Sequence, residues 1–162
     1  LVETTTAYLV AQIDAGAEAV QIFESFGSAL PPALFGPLSL DPIGRIVKGL
    51  KAARPGARTI VFVRGAGPNL SRLVEAGIAD CVALDWTIDL HATLPTLPAD
   101  LPTQGNLDPL ALVAGGDALR RGIDAVKSAT RGRPHIFNLG HGIVPQTPIS
   151  HVEEMITRVR EG

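Results

Sequence analysis

Short apolar runs alternate with amphipathic helical stretches along this chain, and that alternation restricts the fold more than any other feature. The runs at Ala19–Phe23, Thr59–Val63, Asp80–Leu84, Leu101–Gln104 and His135–Asn138 have the length and residue types of strands. Between them, apolar residues recur at helical spacing over Glu3–Ala15, Pro42–Ala53, Asn69–Ala76, Asp108–Val113, Asp117–Thr130 and Ser150–Arg160. Asp117 and Ser150 are expected to cap helix N-termini, and Gly16 and Gly77 to close helices in the left-handed conformation. Pro55 follows a helix end, where it cannot extend the helix. The segments Ile13-Asp14-Ala15-Gly16-Ala17-Glu18-Ala19-Val20 and Leu73-Val74-Glu75-Ala76-Gly77-Ile78-Ala79-Asp80 share one plan, a helix end, an Ala-Gly turn and a strand start. A repeated β-α-β-α order calls for a parallel sheet covered by helices.

Polar and unusual residues collect after the apolar runs. The run ends read Glu24-Ser25-Phe26-Gly27, Arg64-Gly65-Ala66-Gly67, Asp85-Trp86-Thr87, Gln104-Gly105-Asn106 and Asn138-Leu139-Gly140-His141-Gly142. Barrels of β/α units build their sites from strand carboxyl ends and the loops that follow, and doubly wound sheets do the same, so this pattern does not separate the two. Five strands are too few to close an eight-stranded barrel.

The composition narrows the function. The formal net charge is −2 and no basic run occurs, so neither nucleic acid nor an anionic membrane is an expected partner. No apolar stretch reaches the roughly 18 to 20 residues that span a bilayer, and the chain is expected to be soluble and cytoplasmic. It opens at Leu1 on an amphipathic pattern (Leu1, Tyr8, Leu9, Ile13), so further sequence is expected upstream. Cys81 is the only cysteine and sits in an apolar run, which points to a buried small residue and excludes both an internal disulfide and a multi-thiolate metal site. Gly65-Ala66-Gly67 lacks the third glycine and the lysine of a phosphate loop. His91, His135 and His151 have no ligand spacing and read as surface or packing residues.

Four blocks carry a family resemblance: Gln21-Ile22-Phe23-Glu24-Ser25, Leu84-Asp85-Trp86-Thr87, Gln104-Gly105-Asn106-Leu107-Asp108-Pro109, and Phe137-Asn138-Leu139-Gly140-His141-Gly142-Ile143. In order and spacing the chain resembles uroporphyrinogen decarboxylase from about Tyr8 to its end. The resemblance implies an α/β fold, a (β/α)8 TIM barrel of which residues 1–162 supply about the last five β/α units as the C-terminal part of one barrel domain. It implies decarboxylation of the four acetate groups of uroporphyrinogen III to coproporphyrinogen III in haem synthesis, without metal or organic cofactor, by a protein that is a homodimer at full length.

That chemistry protonates an electron-rich pyrrole, releases carbon dioxide and reprotonates the carbon left behind, so it needs a carboxylate near the pyrrole nitrogens and donors for the substrate carboxylates. The family's central aspartate, a neighbouring tyrosine and an arginine-rich segment are expected upstream of Leu1. By resemblance Ser25 and His141 donate to substrate carboxylates, while Phe23 and Phe62 line the cleft; Gln104 is a further candidate. The chain departs from the family pattern after Ser25, at Phe26-Gly27-Ser28. Asp85, Trp86, Asn106 and Asp108 read first as scaffold, and Arg64 is the single basic residue in the strand-end segments.

Two other functions compete. A corrinoid-linked, zinc-dependent methyltransferase of the same superfamily would need thiolates where this chain has Phe62-Val63-Arg64 and His141. A non-catalytic porphyrinogen-binding or diverged half-barrel would expose two sheet edges and is expected to self-associate or be marginally stable.

Overall fold

A computed structural model describes residues 1–161. Five strands, β1 (Ala19–Glu24), β2 (Arg58–Val63), β3 (Cys81–Leu84), β4 (Thr103–Leu107) and β5 (His135–Leu139), form one sheet in chain order. The β1–β2 and β4–β5 pairings are parallel and in register from Ala19↔Arg58 and Thr103↔His135. Helices α1 (Val2–Asp14), α2 (Pro32–Phe35), α3 (Asp41–Ala53), α4 (Leu70–Glu75), α5 (Leu90–Thr93), α6 (Pro109–Ala114), α7 (Gly116–Ala129) and α8 (Ile149–Arg160) fill the connections. Strand order decides what the run ends alone leave open. A doubly wound sheet reverses its order at a switch point, whereas an unbroken 1-2-3-4-5 order is an arc of a β/α barrel.

The chain packs as two compact units, Leu1–Val82 and the remainder from Ala83 onward. In the first, α1 packs on α3 and β1. Val20 and Ile22 of β1 and Thr59, Val61 and Val63 of β2 are all buried. Register puts these side chains on one face, because residues two apart in a strand point the same way and paired residues share a side. Asp80 closes the entry to β3: its carboxylate accepts from Lys51 Nζ (2.7 Å), the Thr59 amide (2.8 Å) and the Thr59 hydroxyl (2.9 Å). In the second unit, Leu107, Leu112, Leu119 and Ile123 form a buried cluster against which Phe137, Leu139, Val152, Met155 and Val159 pack. Each such side chain contributes about 1.5 to 3 kcal/mol on removal from water.

Most expected elements appear within one or two residues of their predicted limits, and Gly16 and Gly77 do take positive φ (104° and 60°). Three expectations need correction. The fourth strand is Thr103–Leu107 rather than Leu101–Gln104, because Pro102 has no N–H for a ladder and the strand begins only after it. Asp117 is not a cap: Gly115 and Gly116, at φ 67° and 52°, reverse the chain and start α7 a residue earlier, leaving Asp117 in the first turn, where a carboxylate favours the helix dipole. Ser150 lies inside the first turn of α8, whose cap position is Pro148.

Candidate functional site

At the carboxyl end of β1, the Glu24 carboxylate accepts the Phe26 amide (2.9 Å) and folds the chain back over a tight turn. Ser25 is the half-buried residue held inside that turn. The Arg64 amide donates to the Glu24 carbonyl (2.9 Å), which ties the end of β2 to the same turn. Phe23 and Phe62 are register partners on the face opposite Ile22 and Val61, with ring centroids 5.9 Å apart and planes tilted by 59°. Phe62 is buried, but Phe23 is 67% exposed, a large apolar ring presented to the outside of the unit. Phe23, Ser25 and Phe62 therefore lie at the carboxyl ends of the paired strands β1 and β2.

The second unit builds its own strand-end assembly. Asp85 is buried, and its carboxylate accepts both the amide (2.8 Å) and the hydroxyl of Thr87. Asn106 Nδ2 donates to the carbonyls of Asp85 (3.1 Å) and Ile88 (2.7 Å), so one buried amide pins both ends of the loop carrying Trp86. The Trp86 indole meets the exposed His141 ring edge-on, centroids 5.8 Å apart and planes at 89°. Gly140 explains how the backbone reaches that far: a Cβ there would overlap the Trp86 main chain, and its amide donates to the Leu107 carbonyl (2.7 Å). Glycine is thus required beside His141 for a steric reason.

Gln104 is buried near the amino end of β4, about three residues, or roughly 10 Å, before the strand ends. The residues that do occupy the end of β4 are Asn106 and Asp108, and both are scaffold. Asp108 caps α6 by accepting the Leu110 amide (2.8 Å). His135 bridges the Thr103 hydroxyl (2.9 Å) and the Gly105 carbonyl (2.8 Å); burial holds its pKa below the usual imidazole range, against the opposing pull of the carbonyl contact. Its Nε2 must carry the proton given to that carbonyl, so Nδ1 accepts from Thr103. His151 donates to the Leu112 carbonyl (2.9 Å), which makes it a packing residue too. The Cys81 thiol is buried and its pKa is pushed up to about 11 by desolvation, with a smaller contribution from the Asp80 charge.

The sequence profile of the family described as "Uroporphyrinogen decarboxylase (URO-D)" matches residues 1–162. The chain belongs to the uroporphyrinogen decarboxylase family. It is similar to the uroporphyrinogen decarboxylases of Sphingopyxis alaskensis, at 49% identity over 162 residues, and of Erythrobacter litoralis, at 48% over 160 residues. These matches cover 100% and 99% of the chain but 47% of each relative, so the chain spans about half the length of the curated relatives it matches. A methyltransferase from Methanosarcina mazei superposes with a TM-score of 0.82 over 99% of the chain and 47% of its own, at 19% identity, a likeness of fold alone.

Within the decarboxylase family frame, the chain's strand ends offer hydroxyl and imidazole donors and an aromatic surface. The nearby carboxylates Glu24, Asp85 and Asp108 are engaged by backbone amides and, for Asp85, a hydroxyl of their own turns. Sequence reading missed that Trp86 faces His141, since no spacing rule brings a residue after β3 beside one after β5.

Proposed function

We propose that the protein to which this chain belongs decarboxylates uroporphyrinogen III to coproporphyrinogen III, and that this chain contributes substrate-binding groups while the acid chemistry depends on sequence before Leu1. Each turnover exchanges an acetate carboxylate for hydrogen: the pyrrole is protonated at ring carbon, the carbon–carboxylate bond breaks with loss of carbon dioxide, a second proton adds to the methylene carbon left behind to make the methyl group, and loss of the first proton from the ring carbon restores the aromatic pyrrole, a net uptake of one proton. Ser25 and His141 would donate hydrogen bonds to substrate carboxylates. The exposed Phe23 ring, backed by Phe62, would lie against a pyrrole face. Gln104 is a weaker candidate because of its depth in β4.

The observation that carries this reading is the family match over the whole chain, with His141 standing beyond β5 between two glycines and set edge-on to Trp86. The methyltransferase reading loses to it on this chain's own chemistry, because zinc would need thiolates and Cys81 is buried in β3 with its thiol favoured over the thiolate.

The test is anaerobic incubation with uroporphyrinogen III and porphyrin analysis, comparing the 162-residue chain with a version extended through the upstream coding sequence. Turnover by the extended version alone, weakened by Ser25→Ala and His141→Ala, is the expected result. Inactivity of both versions would favour a binding role, and turnover by the short chain would remove the requirement for upstream residues.

A further inference from the structure

A polar hollow lies at the opposite end of β5 from His141. It has a volume of about 460 Å³ and sits where α7 ends and the chain turns through residues 130–134 into β5. Its walls carry Lys127, Arg131 and Arg133, its floor Phe137 and Val159, and no carboxylate lines it among the described residues. The neighbouring arginines on the same helices are neutralised: Arg120 pairs with Glu154 (2.8 Å) and Arg158 with Asp124 (2.6 Å). Lys127, Arg131 and Arg133 form no ion pair among the described residues.

Cations after a helix C-terminus stabilise its exposed carbonyls, and that accounts for part of the arrangement. Lys127 Nζ donates to the Arg158 carbonyl (3.0 Å), using one of its three protons. Arg133 does not fit that explanation. It lies beyond the turn, sends Nη2 to the Pro98 carbonyl (2.6 Å), and buries its Nε–H with no acceptor. A desolvated guanidinium donor left unmatched is costly, the more so for a charged group, so a site that leaves one open is poised for an acceptor.

We infer that this hollow binds a small oxyanion, a phosphate or carboxylate carried on an apolar body, held by Lys127, Arg131 and Arg133 with the body against Phe137 and Val159. A guanidinium fork and an ammonium suit either oxyanion, and the Phe137 and Val159 floor selects for a ligand with a hydrocarbon part over the bare ion. The site shares no residue with the groups assigned to substrate and does not rest on the decarboxylase reading.

The experiment titrates the ¹⁵N-labelled full chain with inorganic phosphate, phenyl phosphate and benzoate at constant ionic strength, following amide shifts. Saturable shifts confined to residues 126–137 and the end of α8 are expected, tighter for phenyl phosphate than for inorganic phosphate. Comparison of phenyl phosphate with benzoate then assigns the oxyanion. Lys127→Gln and Arg131→Gln, both at partly or fully exposed positions, should each weaken binding about tenfold, the equivalent of one charge-assisted contact, while leaving the other amide shifts in place. Shifts that do not saturate, that scatter over the surface, or that survive unchanged in the Lys127→Gln/Arg131→Gln double variant would overturn the inference.

Discussion

Replacing Gly105 by alanine should be far more damaging than the same change at Gly16, although both glycines hold positive φ (120° and 104°). Nothing lies within 4 Å of the point a methyl group at residue 16 would occupy, so Gly16→Ala should cost only the backbone strain, about 1 to 2 kcal/mol. At Gly105 the added Cβ would run into the Leu84 carbonyl oxygen, a backbone atom that no rotamer change can move aside. Relief requires β4 and the end of β3 to separate. Separation strains the bonds from Asn106 Nδ2 to the Asp85 and Ile88 carbonyls, and each buried group left unmatched costs about 1 to 3 kcal/mol. The expected total for Gly105→Ala is about 3 to 5 kcal/mol, a large part of the roughly 5 to 15 kcal/mol by which a typical domain is stable. Urea titration followed by circular dichroism reads both variants against the parent chain. A midpoint loss for Gly105→Ala no greater than for Gly16→Ala, at equal slope, would refute the claim that steric contact with β3 sets the residue at 105.

Three further outcomes are expected. Burial lowers the His135 pKa below 6.5, so the unfolded chain binds the proton more readily; stability should hold above pH 6.5 and fall as pH drops from there toward the folded pKa, and His135→Gln should flatten that part of a melting-temperature profile. Asp80→Asn removes the ion pair with Lys51 and one acceptor for Thr59, and should cost about 1 to 3 kcal/mol in a denaturant titration at pH 7, with the gap to the parent narrowing at acid pH: burial works against the Asp80 charge, but Lys51 and Thr59 outweigh it and hold its pKa below the usual carboxylate value. In the extended protein, Trp86→Leu should lower kcat/KM by about 10 to 100-fold by releasing the His141 ring, and Trp86→Phe should recover much of it; an unchanged kcat/KM for Trp86→Leu would mean the indole only fills space.

How much of this was readable in the sequence depended on whether the controlling interaction was local. Helices α1, α3, α7 and α8 carry enough turns for a period of 3.6 to show, and they appear where their apolar spacing places them. The four-residue helices α2 and α5 are too short to establish a period, so nothing in the sequence announces them. Cap prediction failed at Asp117 because a Gly115-Gly116 reversal, with the His151 imidazole filling the space a Cβ would take, set the helix start from across the unit. The family blocks were legible as blocks, yet the physical work inside them was not.

Gly105-Asn106 reads as the loop after the fourth strand by composition, since glycine and asparagine are poor strand formers. It is a strand because of its neighbours. Gly105 is the residue that lets β4 lie against the Leu84 carbonyl, and the Asn106 amide satisfies two loop carbonyls that would otherwise be buried without a donor. The same reasoning separates His141 from His135. One opens β5 and the other follows it, but only His141 lies between two glycines, and the sequence reads His135 as packing and His141, by resemblance, as a donor. Their surroundings differ too: His135 uses both ring nitrogens on Thr103 and the Gly105 carbonyl, while His141 is exposed and braced by an aromatic edge. An imidazole committed on both sides to strand β4 cannot also donate to a substrate carboxylate, and that physical reason for the packing role of His135 becomes visible only once β4 and β5 are paired.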